Sequence, residues 1–225
     1  MKKTFMVYCI AYLVLLTFVL GLLYAYPKPE LHLLLNAHHT RLQDSFFKYY
    51  SMMAEGPLYA LALIPLFLRA FRLTIFFALS EALGGGLLQI LKHTICMPRP
   101  ASVFENMPDT TLPLVEGISL HHGNSFPSGH ASTFFVFFTC CALLLVYYRR
   151  SKPVRNKQRV HMLVEAGLIL CLVMAALGAY SRVYLSQHFL SDICMGSVIG
   201  FATPCILFYF GRKKLLKLNS KETTP

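Results

Sequence analysis

Charged residues are scarce in this chain. Asp, Glu, Lys and Arg make up 14% of its 225 residues, whereas apolar residues make up 56%. Soluble domains carry charge on about a quarter of their residues, so the composition excludes an ordinary water-soluble domain. Acids are scarcer still, ten against 21 basic residues, for a formal net charge of +11. The basic segments lack the interleaved aromatics of a nucleic-acid-binding motif, so no nucleic-acid partner is expected. The seven cysteines form no C-x-x-C pair and no disulfide framework. Cys9, Cys140, Cys141, Cys171, Cys194 and Cys205 fall in apolar runs and read as small packing residues; Cys96 falls outside them. No set of residues has metal-ligand spacing, so neither metal nor cofactor is expected. No linker or low-complexity stretch divides the chain, and residues 1–225 read as one domain.

What the chain has instead is long apolar runs, at about 5–25, 57–71, 74–91, 131–148, 162–180 and 193–210. Crossing a bilayer core takes about 20 such residues. The second run is flanked by Pro57 and interrupted by Pro65. The third holds Glu81, Gln89 and Gly84-Gly85-Gly86, and is expected to face other helices more than lipid. The first follows Lys2 and Lys3, but it is too long for a signal-peptide core and no A-x-A-like cleavage site follows it. It is expected to be an uncleaved span.

Basic residues in short loops mark the cytoplasmic side of a membrane protein. With the N-terminus inside, that side collects Lys2, Lys3, Arg69 and Arg72. It also collects Arg149, Arg150, Lys152, Arg155, Lys157 and Arg159, and the tail cations Arg212, Lys213, Lys214 and Lys217. The acids Glu105, Asp109 and Glu116 fall on the opposite side. The expected fold is therefore all-α, a bundle of six transmembrane helices with both termini cytoplasmic.

Two longer segments lie on the outer side. In residues 26–56, Thr40 is placed to cap a helix running through Asp44 toward Met53. The aromatic content there (Phe46, Phe47, Tyr49, Tyr50) suits the interface plane or a lid. Residues 99–127, with Pro100, Pro108, Pro113, Gly117 and Gly123, read as an irregular loop. Gly196 and Gly200 form a G-x-x-x-G that lets another helix approach, within the bundle rather than between molecules.

Three fragments belong together: Lys92-x6-Arg99-Pro100, Pro127-Ser128-Gly129-His130, and Ser181-Arg182-x5-His188-x3-Asp192. Each falls near the end of an apolar run, and the topology brings all three to the outer face. His188 and Asp192 share a helix face if the chain is helical there. A carboxylate beside an imidazole fixes its tautomer and frees the other nitrogen to attack. The same pair suits a helix cap. Ser128 and Gly129 open a helix whose first-turn N–H groups and dipole favour a phosphate. On that first turn, His130 is placed to donate a proton to a leaving oxygen. Lys92, Arg99 and Arg182 are costly at a membrane edge unless they meet anions, and the arginine fork suits phosphate.

With these motifs the chain resembles the type 2 phosphatidic acid phosphatase family, the integral-membrane lipid phosphatases related to vanadium haloperoxidases. All three family signatures are present, over a core of about 92–192. The resemblance implies a metal-free phosphatase acting on a membrane lipid phosphate. His188 would be the nucleophile that forms a phosphohistidine, Asp192 its partner and His130 the acid. Lys92, Arg99, Ser128, Gly129 and Arg182 would bind the phosphate. The small size resembles bacterial members, which places the protein in an inner membrane with its site on the outer side. Lipid A and undecaprenyl diphosphate lead the candidate lipids, ahead of phosphatidylglycerol phosphate and phosphatidic acid. Phosphoryl transfer to another headgroup or sugar is the alternative reaction. Vanadate chemistry fits the six spans poorly, and an anion transporter is the non-enzymatic alternative. His93 is read as non-catalytic. His121 and His122 are read as loop residues near a headgroup, and His38, His39 and Glu55 as candidate headgroup contacts.

Overall fold

A computed structural model describes residues 2–107, 109–151 and 156–215. Pro108, Lys152, Arg155 and Lys217, all noted above, lie outside them. The described chain is helical: α1 (Lys2–Ala25), α2 (Lys28–Leu35), α3 (Arg41–Met52), α4 (Pro57–Arg69), α5 (Phe71–Thr94), α6 (Pro100–Phe104), α7 (Gly129–Ser151), α8 (Lys157–Tyr184) and α9 (Leu190–Leu215). A 3-10 turn, Met53–Glu55, joins α3 to α4.

Five of these helices, α1, α5, α7, α8 and α9, are long and apolar enough to cross a membrane. The apolar run at 57–71, interrupted by Pro65, takes a different form from these five. The α4 helix has 13 residues, about 20 Å at 1.5 Å per residue, which is short of a bilayer core of ~30 Å. Gly56 breaks the chain at φ 137°, Pro57 starts the helix and Pro65 interrupts it. Only when joined to the stretch Arg41–Glu55, at a bend of 49°, does it reach spanning length, which makes the count five or six.

α7 is the central helix, packed on α8, α9 and α5. Glycine sets these close approaches. A Cβ on Gly196 would stand 2.5 Å from the Ser128 carbonyl oxygen, and one on Gly200 would collide with that of Ser132. The G-x-x-x-G therefore seats α9 on α7 within the bundle. A Cβ on Gly178 of α8 would collide with the Phe134 ring. α1 docks through Tyr8, bonded to Thr139 at 3.0 Å, and Tyr12, bonded to Ser197 at 3.2 Å and stacked on Phe201. Its other face leaves Ile10, Leu13, Val14 and Phe18 exposed, as a lipid-facing helix does. α5 faces its neighbours through one stripe only, including Phe76, Ser80, Gly84 and Leu88. Leu83, Leu87 and Gln89 lie on its open side. Glu81 accepts hydrogen bonds from the Tyr59 hydroxyl at 2.6 Å and from Thr133 at 2.7 Å.

The segment 26–56 covers the bundle end. Thr40 Oγ1 caps α3 by accepting the Gln43 N–H at 3.2 Å. Phe47 packs against Tyr180 and Tyr184, and the Tyr50 hydroxyl donates to the Met174 carbonyl at 2.8 Å. The loop 99–127 is irregular apart from α6. All seven cysteines are free, and Cys96 is exposed. The C-terminal ends of α5 and α8 and the N-terminal ends of α7 and α9 converge at one end of the bundle.

Candidate active site

His188 stands in the turn between α8 and α9. The backbone N–H groups of Gln187 and His188 both donate to the Arg182 carbonyl, at 2.9 and 3.1 Å, which folds the turn back on α8. Ser186 adopts φ 53° there, a conformation costly for a residue with a Cβ. Its hydroxyl offsets that cost: it donates to the Pro113 carbonyl at 2.9 Å and accepts from Asn36 at 2.7 Å. The His32 ring lies 3.3 Å away and packs against Phe189.

Asp192 serves both readings of the His-Asp pair. From the first turn of α9 its Oδ2 accepts the Phe189 backbone N–H at 2.9 Å, the returning half of a capping box. The same oxygen lies 3.5 Å from His188 Nδ1. Ser125 joins them, with its hydroxyl 2.5 Å from Asp192 Oδ2 and 3.3 Å from His188 Nδ1. Nδ1 therefore faces Asp192 and Ser125, which leaves Nε2 as the ring nitrogen not engaged by that pair. Burial pushes the imidazole down from 6.5 to about 4, helped by the charges of Arg99 and Arg182 and opposed by Asp192. At neutral pH a ring so shifted is uncharged, the form in which an imidazole nitrogen is able to attack.

Arg182 is buried and donates through Nη1 to Ser51 at 2.8 Å. Arg99 donates through Nη1 to the Gln187 carbonyl at 3.0 Å, beside His188. Each guanidinium leaves a buried Nε–H without a partner among the described residues. Lys92, at the end of α5, lies within electrostatic range of Arg99, Arg182 and Asp192. Asn124 ties this end to the second motif, donating to the Lys92 carbonyl and accepting the Met97 N–H at 3.0 Å. Ser125 N–H adds a bond to the Met97 carbonyl at 2.8 Å.

Ser128 is fully buried; its N–H donates to the Asp192 carbonyl and its hydroxyl accepts weakly from Ala131 N–H. No atom outside the adjacent chain lies within 4 Å of where a Gly129 Cβ would stand, so the helix start is open there. His130 lies within electrostatic range of Arg182, His188, Lys92 and Arg99, and its Nε2 meets Glu55 at 3.3 Å.

All eight residues singled out from the sequence thus converge on one end of the bundle. Several others join them that the motifs did not flag: Ser125 on the His-Asp pair, Ser51 on Arg182, Asn124 at the motif junction, and Lys28, 3.9 Å from Asp192. Glu55 touches His130, a closer engagement than headgroup contact. Sequence spacing carries no signal for Ser51 or Glu55, because the contacts span 131 and 75 residues. Of the remaining histidines, His121 lies at the rim, within range of Arg99, Arg182 and Glu55. His122 pairs with Glu105 at 2.8 Å on the surface, and His93 is exposed. His39 bonds Asp44 and Asn36 within the outer segment.

A sequence model of the PAP2 superfamily matches residues 73–215. Dolichyldiphosphatase 1 of Rhinolophus ferrumequinum is 32% identical over 146 residues, 64% of this chain and 56% of that protein. The match therefore spans little more than half of the relative's length. Among solved structures, LpxE of Aquifex aeolicus superposes with a TM-score of 0.62 at 24% identity, covering 83% of this chain and 98% of that one. A transmembrane PAP2 type phosphatidylglycerolphosphate phosphatase from Bacillus subtilis also gives 0.62, at 20% identity, covering 95% of this chain and 98% of that one.

Proposed function

The chain belongs to the PAP2 superfamily, and from that premise we propose that it is a membrane phosphatase that hydrolyses a lipid phosphate or diphosphate through a phosphohistidine. The observation that carries this reading is a buried neutral imidazole beside two guanidiniums whose Nε–H groups lack partners. A buried donor left unpaired costs about 1–3 kcal/mol. A phosphate bound against His188 offers oxygens to both.

In the proposed reaction His188 Nε2 attacks phosphorus while Asp192 and Ser125 hold the ring through Nδ1. The P–O bond to the lipid breaks, its electron pair passes to the leaving oxygen, and His130 supplies that oxygen with a proton. Lys92, Arg99, Arg182 and the first turn of α7 at Gly129 hold the three equatorial oxygens, where charge builds in the transition state. Water then attacks the phosphohistidine and gives a proton to His130. The N–P bond breaks with its pair returning to His188. Each step is completed by the chain's own side chains and water.

Polyprenyl diphosphates lead the candidate substrates, because the curated relative is named as a dolichyldiphosphatase. In this reading both termini are cytoplasmic and the site opens on the opposite face of a bacterial inner membrane. Arg149, bonded to Thr4 at 2.8 Å at the far end of the bundle, supports that orientation. The test is inorganic phosphate release by detergent-purified protein, with EDTA present. The panel holds undecaprenyl diphosphate, lipid A, phosphatidylglycerol phosphate and phosphatidic acid. Release by the wild type and none by His188→Ala is the expected result. Equal release by both removes His188 as nucleophile.

A further inference from the structure

The ring of His130 is held by a residue outside all three motifs. Glu55 ends the 3-10 turn between α3 and α4, and its Oε1 lies 3.3 Å from His130 Nε2. The turn reverses at Gly56, whose φ of 137° is open to glycine and strained for other residues. The backbone thus delivers the carboxylate to this point. The other titratable groups around the ring are Arg182, His188, Lys92 and Arg99. Glu55 lies within electrostatic range of Arg182 and His121 as well.

A general acid must carry its proton when the leaving group departs. Three cations around His130 oppose an imidazolium, and a carboxylate on the ring offsets them. We propose that Glu55 is the positioning residue of the acid His130, orienting the ring through Nε2–H and stabilising its protonated form. The proposal rests on the acid role given to His130 above. With Nε2–H directed to Glu55, the transferable proton is the one on Nδ1. As the P–O pair moves to the lipid oxygen, the Nδ1–H bond breaks, its pair stays on the ring and the proton goes to that oxygen. The attacking water later returns a proton to Nδ1. Glu55 exchanges no proton in either step.

The test compares two leaving groups. Dioctanoyl phosphatidic acid releases an alkoxide that needs a proton; p-nitrophenyl phosphate releases a phenolate that does not. For His130→Ala, kcat/KM on the lipid falls about 10²-fold or more, and far less on the aryl ester. For Glu55→Gln it falls about tenfold on the lipid and within about twofold on the aryl ester. Glu55→Gln adds nothing to His130→Ala in the double variant, and Glu55→Asp recovers part of the lipid rate. Retained aryl-ester turnover shows that the variants are folded. Equal losses on both substrates, or full multiplication of the two effects, overturn the role of Glu55. Absence of leaving-group dependence in His130→Ala removes the acid itself, a separate failure read from a separate variant.

Discussion

The backbone N–H of Ser128 donates to the backbone carbonyl of Asp192 at 3.0 Å. This bond joins the second and third motifs through main chain alone. It forms because Gly196, one turn beyond Asp192 in α9, lets the Ser128 carbonyl come close. Glycine packing and site geometry are therefore one feature.

Gly196→Ala forces α7 and α9 apart at this point. The expected cost is about 1–3 kcal/mol of stability, with phosphate release falling alongside, because Ser128 and Asp192 move relative to each other. Gly86→Ala, where nothing lies within 4 Å of the new Cβ, leaves phosphate release unchanged and raises stability by up to about 1 kcal/mol. Thermal unfolding in detergent and phosphate release check the pair.

Asp192 accepts from Ser125 and Phe189 as well as facing His188. Asp192→Asn is expected to lower kcat about 10³-fold, as in other carboxylate–histidine pairs where the tautomer is lost. Ser125→Ala removes one hydrogen bond and leaves the carboxylate, so a loss of about tenfold or less follows. A larger loss for Ser125→Ala than for Asp192→Asn contradicts this assignment.

In the proposed reaction Arg182 serves through both its charge and its fork. Arg182→Lys keeps the charge, loses the Ser51 contact and loses paired donation to phosphate, for an expected fall of about 10²-fold in kcat/KM. Ser51→Ala keeps the fork and releases one anchor, so its loss stays smaller. Steady-state kinetics on a soluble short-chain lipid phosphate measures both.

Two buried histidines make the fold sensitive to acid. Burial lowers His188 and His32 from 6.5 to about 4 in the folded protein. The unfolded chain takes up those protons near 6.5, so the stability from each neutral ring is complete above that value. It is lost as pH falls toward 4. Melting temperature in detergent should fall between neutral pH and about pH 5, and less steeply in His32→Leu. An equal slope in His32→Leu contradicts the buried neutral state of His32.

The spans and the site were legible in the sequence to different depths. Five crossings are long uninterrupted apolar helices, and the motif residues sit at their ends, so run length and motif position agree. The run at 57–71 forms no full-length helix of its own, because Gly56 turns the chain before Pro57 and Pro65 interrupts the helix. The meeting of the cations and histidines was legible because each motif falls at the end of an apolar run on the same side. Ser51, Lys28 and the partner of Glu55 were not, because α2, α3 and the turn after them reach the site through tertiary contacts such as Phe47 on α8 and Asn36 on Ser186. Ser125 lies close to the second motif, but a serine in an irregular loop has no pattern that marks it.

In the proposed reaction phosphorus passes through His188. The direct measurement is turnover of a radiolabelled lipid phosphate, quenched in alkaline detergent, with the label mapped to a peptide. The expected result is an acid-labile, base-stable label on His188 that is absent from His188→Ala. Phosphate release at the full rate without label on His188, or label on a different residue, contradicts the claim.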